Sequence, residues 1–176
     1  MHELLVAGFG GQGVLVLGQL LATAGMLEQK EVTWFPSYGP EQRGGTCNCS
    51  VVVSDHEIGS PIVNQPDTAI VMNLPSLERF AASVKPGGLL IYNSSLIEPQ
   101  QSRDNVRLIA VPATDVADEL GNSRIANLVA LGAFIEATQL VSLKSIEDSL
   151  KTVLPKRHHR LIPLNMEALS RGRAYQ

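Results

Sequence analysis

Short apolar runs alternate along this chain of 176 residues with longer segments whose apolar residues recur at helical spacing. The first run, residues 4–7, is typical of a buried strand, and Leu17, Leu20 and Leu21 then mark one face of a helix. The same pattern predicts strands at 4–7, 31–35, 46–54, 67–73, 89–93 and 106–111, and helices at 13–27, 75–80, 113–120, 127–140, 145–154 and 165–172. This alternation indicates a mostly parallel sheet between layers of helices.

We therefore predict the α/β class, as a three-layer α/β/α Rossmann-like sandwich with a helical C-terminal end. Residues 46–54 are rich in β-formers and precede a turn-like stretch at 55–61, which predicts a β-hairpin excursion there. Residues 127–140 are apolar nearly all round, so that helix is either buried or part of a subunit interface. The length suits one domain, residues 1–176, with a basic helical C-terminal segment from about residue 145.

A glycine-rich turn follows the first predicted strand, where residues 8–13 read Gly-Phe-Gly-Gly-Gln-Gly. Gly8, Gly10 and Gly13 match the dinucleotide fingerprint G-x-G-x-x-G, and free N–H groups at a helix N-terminus favour an anion. That fingerprint also expects an acidic residue at the end of the second strand, but Glu31 lies at its start. The missing acid argues against a nicotinamide or flavin site. Another anion site, or a turn whose glycines only allow close packing, remains open.

A second loop, residues 37–45, reads Ser-Tyr-Gly-Pro-Glu-Gln-Arg-Gly-Gly and follows the second predicted strand. A simple connector is usually shorter and carries fewer distinctive side chains. Polar groups in a long loop near the carboxyl end of a strand are typical of binding sites in open α/β sheets. The sequence therefore predicts a binding site that combines this loop with the glycine turn.

The net charge of −3 conceals an asymmetry between the two ends of the chain. Residues 1–150 carry 8 Lys and Arg against 16 Asp and Glu, whereas residues 151–176 carry 6 against a single Glu. The basic segment 156–160, Lys-Arg-His-His-Arg, is either a solvated end or a patch for an anionic ligand or an acidic partner. Nucleic acid is disfavoured because the remaining surface is acidic and no aromatic residues are interspersed among the basic ones.

Other chemistry finds little support in the chain. No uncharged apolar run reaches membrane-spanning length, and the start lacks the basic region of a signal peptide, so we expect a soluble cytoplasmic protein with no membrane partner. Cys47 and Cys49 are predicted to be buried free thiols, since two thiols cannot complete a zinc or iron–sulfur site. The nucleophile motif G-x-S-x-G and the P-loop signature are both missing. The sequence thus indicates a binding fold without an evident catalytic set.

The glycine turn and the loop that ends Arg43-Gly44-Gly45 together resemble the gamma subunit, or gamma domain, of 2-oxoacid:ferredoxin oxidoreductases. The resemblance covers nearly the whole chain, with Met72-Asn73, a Pro-Gly-Gly turn at 86–88 and the helix around 127–132 in the expected order. It implies a complex that oxidatively decarboxylates a 2-oxoacid, with 2-oxoglutarate as the leading candidate. The products are an acyl-coenzyme A and reduced ferredoxin.

The resemblance also implies how the work is divided within that complex. Thiamine diphosphate and iron–sulfur clusters belong to partner subunits, namely thiamine-binding alpha and beta subunits and a ferredoxin-like delta subunit. A dimer of such heteromers is one assembly that fits. This chain is expected to be a non-catalytic module that packs on the thiamine-binding subunits, and it is a candidate for helping to bind coenzyme A.

Candidate binding residues come from both loops and from the fourth predicted strand. They are Gly8, Gly10, Gly11, Gln12, Gly13, Tyr38, Glu41, Arg43, Gly44, Gly45 and Asn73. Arg43 could contact the phosphates of coenzyme A, pair with Glu41 to hold the loop, or pair with an acidic partner subunit. Two other classes remain open, a NAD(P)- or flavin-binding Rossmann-type oxidoreductase domain and a purely structural assembly subunit.

Overall fold

A mixed six-stranded sheet forms the centre of the molecule in the computed structural model, which describes residues 1–38, 45–98, 100 and 105–176. The strands are β1 (His2–Phe9), β2 (Glu31–Tyr38), β3 (Thr46–Ser54), β4 (Thr68–Val71), β5 (Leu89–Asn93) and β6 (Arg107–Val111). The α-helices are α1 (Val14–Leu27), α2 (Leu74–Phe80), α3 (Ala113–Glu119), α4 (Ala126–Thr138), α5 (Leu143–Val153) and α6 (Ile162–Gly172). No helix in these described ranges has the length and hydrophobicity needed to cross a bilayer.

The strand order is β2-β3-β1-β4-β5-β6. β1, β4, β5 and β6 run parallel, whereas β3 is antiparallel to both of its neighbours, β1 and β2. An antiparallel excursion is therefore present, but the expected turn at 55–61 leads into no further strand before β4. β3 instead pairs with the preceding strand, because Trp34 of β2 and Val51 of β3 then lie side by side under α1.

Helices cover both faces of the sheet, which confirms a three-layer α/β sandwich with a helical C-terminal end. One face carries more helices than the other. Leu4, Ile70 and Ile91 point into the larger core beneath α1 and α3–α6. Their neighbours along the strands, such as Val71 and Tyr92, point the other way, into a smaller core beneath α2. This follows from the two-residue repeat of a strand, which sends successive side chains to opposite faces.

Helix α4 lies inside the larger core. All ten residues from Ala126 to Ile135 are buried, and the helix contacts α1, α3 and α6 as well as β5 and β6. Of the two interpretations of this apolar segment, the buried helix is therefore the right one. α4 and α6 approach closely enough that a Cβ on Gly132 would overlap the carbonyl of Leu169, and one on Gly172 would overlap the carbonyl of Val129.

Helix α5 begins slightly earlier than its sequence pattern suggests. The Oγ of Ser142 accepts a hydrogen bond from the backbone N–H of Ser145 at 3.1 Å, so Ser142 is the N-cap and Ser145 lies in the first turn. A side-chain oxygen at this position satisfies one of the N–H groups that have no partner within the helix. The apolar stripe of the helix then packs against α1.

We expect Gly132→Ala to lower the free energy of unfolding by about 1–3 kcal/mol or more, because the added methyl group forces α4 away from the backbone of α6. Gly59→Ala is the matched control, since nothing lies within 4 Å of a Cβ at that position, and its effect should stay within about 0.5 kcal/mol. Urea denaturation followed by circular dichroism measures both. Equal effects at the two positions would contradict the close approach of the helices.

Candidate functional site

The candidate site lies at the carboxyl edge of the sheet, between β1 and β4. The chain leaves β1 through the glycine turn, residues 8–13, and enters α1 on one face. It leaves β4 through Met72 and Asn73 and enters α2 on the other face. Such a switch point, where successive helices go to opposite faces, is where open α/β sheets bind ligands.

The side chain of Gln12 joins these two connections. Its Oε1 accepts hydrogen bonds from the backbone N–H of Phe9 at 2.7 Å and from Asn73 Nδ2 at 2.9 Å. Its Nε2 donates to the carbonyl oxygen of Met72 at 3.2 Å. Gln12 thus acts within the chain, by holding the glycine turn against the end of β4.

Asn73 is also committed to contacts within the chain. It is 3% exposed and forms the N-cap of α2, where its Oδ1 accepts from the backbone N–H of Ser76 at 3.0 Å. Its Nδ2 is the group that donates to Gln12. The structure therefore brings Gln12 and Asn73 together, as the sequence suggested, but in a contact with each other.

The glycine turn and the end of the second loop meet directly. The backbone N–H of Gly10 donates to the carbonyl of Gly45 at 3.0 Å, and that of Gln12 donates to the carbonyl of Phe9 at 3.1 Å. Among the four N–H groups at positions 10–13, those of Gly11 and Gly13 donate to no residue in the described part of the chain. An anion at this turn would therefore be held by at most these two groups and the first turn of α1.

Two positions in the turn require glycine for their backbone conformation. Gly11 has a φ of +102°, and Gly13, the N-cap of α1, has a φ of +73° in the left-handed region. Gly8 is required for space instead, since a Cβ there would lie 2.7 Å from Gln12 Oε1. A Cβ at Gly13 would lie 2.5 Å from the amide of Asn127, whose Nδ2 donates to the Gly13 carbonyl at 3.1 Å.

Asn127 was not among the residues singled out from the sequence. The available signal was a lone amide within the apolar segment that became α4, at a position that is 4% exposed. A buried amide needs hydrogen-bond partners, so it indicates a specific contact with another element. Here that contact locks α4 to the N-terminus of α1.

The remaining candidates lie farther away or outside the described residues. Tyr38 is the last residue of β2 and pairs with Cys47, which in turn pairs with Gly8, so its backbone lies two strands, roughly 10 Å, from the turn. Glu41, Arg43 and Gly44 lie outside the described residues, so their roles stay predictions.

Both cysteines are free and buried, as expected. They point from β3 into the larger core, and burial raises the pKa of Cys49 to about 12 and also raises that of Cys47. Neutral thiols are poor nucleophiles and poor metal ligands. Within residues 1–38, 45–98 and 105–176, no group of three or more His, Cys, Asp or Glu side chains is arranged to hold a metal.

The sheet order also bears on the dinucleotide alternative. In a dinucleotide fold the strand that carries the ribose-binding acid lies beside the first strand. Here β3 separates β2 from β1, so the end of β2 is displaced by one strand from the position that the fingerprint requires. The topology and the early position of Glu31 both argue against that alternative.

Comparison with known proteins places the chain in a family. A family model described as pyruvate ferredoxin/flavodoxin oxidoreductase matches residues 3–175. The chain belongs to this family. Over 169 residues it is 40% identical to the ketoisovalerate oxidoreductase subunit VorA of Methanothermobacter marburgensis, covering 95% of this chain but 35% of that protein. Over 160 residues it is 38% identical to the 2-oxoglutarate synthase subunit KorC of Methanothermobacter thermautotrophicus, covering 87% of this chain and 85% of that subunit.

Solved structures of family members share the fold over nearly the whole chain. The gamma subunit of a keto/oxoacid ferredoxin oxidoreductase from Geobacter sulfurreducens matches with a TM-score of 0.83 at 28% identity, covering 99% of this chain and 97% of that one. The 2-oxoglutarate:ferredoxin oxidoreductase of Magnetococcus marinus, solved with 2-oxoglutarate, coenzyme A and succinyl-CoA bound, matches with a TM-score of 0.89 at 26% identity. That match covers 98% of this chain and 30% of the longer one.

We expect Gln12→Ala and Asn73→Ala each to lower the free energy of unfolding by about 1–3 kcal/mol, because each leaves buried polar groups without partners. In a double-mutant cycle the combined loss should fall short of the sum by at least about 0.5 kcal/mol. Gln19→Ala, a change in α1 at a side chain without a described hydrogen bond, is the control. Strictly additive losses would show that the two amides do not act together.

Proposed function

We propose that this chain is the gamma subunit of a 2-oxoacid:ferredoxin oxidoreductase complex. Such a complex oxidatively decarboxylates a 2-oxoacid to an acyl-coenzyme A and reduces ferredoxin. The observation that carries the proposal is the family match over residues 3–175, together with the near-complete overlap with a solved gamma subunit. The chain spans about a third of the length of VorA, so the activity of the whole assembly is part of the proposal.

In this proposal the chain is a non-catalytic module. Thiamine diphosphate supplies the carbanion chemistry and iron–sulfur clusters carry the electrons, and both are held by thiamine-binding and ferredoxin-like partner subunits. The two buried thiols of this chain, with their raised pKa values, do not suit a cluster. What the chain contributes is the carboxyl edge of its sheet, where the Gln12–Asn73 hydrogen bond holds two connections together.

A partner subunit has apolar surface available beside this edge. Leu74, the first residue of α2, is 46% exposed, and Leu96, just after β5, is 52% exposed. Both follow parallel strands and so lie at the same carboxyl edge as the glycine turn. Exposed leucines beside a polar site are typical of a surface that becomes buried on assembly.

For the substrate we propose 2-oxoglutarate. The match to KorC covers most of both chains, and the enzyme solved with 2-oxoglutarate has a TM-score of 0.89. The second candidate is ketoisovalerate, which is favoured by the 40% identity to VorA. The choice between them rests on residues of the thiamine-binding subunits.

The complex, purified with its co-expressed partner subunits, should reduce ferredoxin at least about tenfold faster with 2-oxoglutarate than with ketoisovalerate or pyruvate at equal concentration. The carboxylate at the far end of 2-oxoglutarate needs a paired cation that an apolar pocket for ketoisovalerate lacks. Ferredoxin reduction followed by absorbance measures the three rates. A higher rate with ketoisovalerate would transfer the assignment to the second candidate, and no rate with any 2-oxoacid would refute the proposal.

We further propose that the two loops help to bind coenzyme A. Its phosphates suit the N–H groups of Gly11 and Gly13, the positive end of α1 and the Arg43 guanidinium. The Gly10–Gly45 hydrogen bond supports this arrangement, because it brings the end of the second loop onto the turn. The internal Gln12–Asn73 contact supports the competing view of a purely structural subunit.

Arg43→Ala in the assembled complex should raise the Michaelis constant for coenzyme A about tenfold or more, since one charge-assisted hydrogen bond to phosphate is worth about 1.5–3 kcal/mol. The Michaelis constant for the 2-oxoacid should stay unchanged. Arg79→Ala is the control, because Arg79 lies on α2 and stacks over Phe80. An unchanged constant for coenzyme A with intact assembly would favour the structural subunit.

A further inference from the structure

A cavity of about 350 Å³ opens on the helical side of the molecule and reaches Gly13 at the N-terminus of α1. It lies between α1, α4, α5, α6 and the short 3₁₀ segment Lys156–Leu161. Its walls are mostly aliphatic, formed by Val16, Leu20, Ile125, Leu128, Leu150, Leu154 and Leu161. A concave apolar site of this size falls within the range of small-ligand pockets.

Two amide side chains give this apolar cavity a polar interior. Asn165 of α6 is 5% exposed, lines the cavity and makes no side-chain hydrogen bond to any described residue. Asn127 of α4 donates one bond to Gly13, and no described group donates to its side-chain oxygen. Both amides therefore present hydrogen-bonding groups to whatever occupies the cavity.

The lining of the cavity carries one positive charge and no negative charge. Arg124 and His158 both line it, Arg124 is the cation, and none of the described lining residues is acidic. The exposed guanidinium of Arg124 forms no ion pair with the described part of the chain. The 3₁₀ segment that contributes His158 is the basic run 156–160, and Arg157 Nε donates to His158 Nε2 at 3.2 Å. The basic run therefore adjoins the cavity, to whose lining it contributes His158.

We propose that the cavity binds a nucleotide, with the base inside and the phosphate at the mouth. The aliphatic walls suit the two faces of a planar heterocycle, and the amides of Asn165 and Asn127 can each donate to and accept from its edge. The Arg124 guanidinium, which has no ion-pair partner in the described part of the chain, suits the phosphate. The expected ligand is a free nucleotide, since coenzyme A is assigned to the two-loop site.

The cavity adjoins the two-loop site at the carboxyl edge but is built from different side chains. That site rests on the glycine turn and Arg43, whereas the cavity rests on α4, α6 and the basic segment. Gly13 is the one residue common to both descriptions. The test of the cavity therefore uses the full chain without partner subunits and without 2-oxoacid turnover, so its failure would leave the proposed complex untouched.

Isothermal titration of the full chain with ADP should show one site, with adenosine and pyrophosphate each binding at least tenfold more weakly. Titration with coenzyme A distinguishes the cavity from the two-loop site. Tighter binding of coenzyme A that displaces ADP would overturn the proposal, because it would place ADP at the two-loop site. Pyrophosphate binding as tightly as ADP would overturn the proposal, because it would reveal a surface anion site only. Absence of ADP binding would overturn it as well.

Variants locate the site. Asn165→Leu should weaken ADP binding at least tenfold while leaving the melting temperature unchanged or raised, because the amide makes no hydrogen bond to a described residue that leucine would remove. Arg124→Ala, an exposed change that keeps the fold, should weaken ADP about tenfold and leave adenosine unaffected. Arg79→Ala, on the opposite face, is the matched control. Unchanged ADP affinity in Arg124→Ala, or a loss as large in the control, would place the nucleotide elsewhere.

Discussion

The contact between Gln12 and Asn73 is the constraint around which the carboxyl edge of the sheet is organised. It fixes the connection after β1 against the connection after β4, at the point where the chain turns to opposite faces. With the Gln12 amide in this position, a Cβ at Gly8 would overlap its oxygen. The Asn73 side chain caps the first turn of α2 and so fixes where that helix begins. The turn has fewer groups left to bind an anion, because the Gln12 side chain is bound to Asn73 and the backbone N–H groups of Gly10 and Gln12 donate to carbonyls.

The antiparallel strand β3 has an effect beyond its own pairing. By lying between β1 and β2 it widens the sheet on the side where a dinucleotide fold would place its ribose-binding acid. It also brings Gly45 beside Gly10, so the second loop ends at the glycine turn. A glycine turn that matches the dinucleotide fingerprint is thus set in a topology that suits a different use, consistent with membership of the oxidoreductase family.

The helical layer combines rigidity with an unfilled space. α4 is buried along ten residues, and its backbone and that of α6 are in close contact at Gly132 and Gly172. Beside this tight contact the basic segment 156–160 and α5 leave the cavity that contains Asn165. Close packing and an unfilled cavity therefore lie side by side along α6.

The sequence by itself determined the elements. The limits of β3 and β5 and the start of α3 were predicted to the residue, because alternation and helical spacing are local properties of the chain. It also supplied the glycine turn and the second loop as a pair, and the backbone of the turn requires glycine at Gly11 and Gly13. Only the tertiary structure decided that β3 pairs with β2, that α4 is buried in this chain, and that Gln12 and Asn73 bind each other. Those outcomes depend on which distant segments meet, and Asn127 and Asn165 acquired their roles only when α4 and α6 packed beside α1.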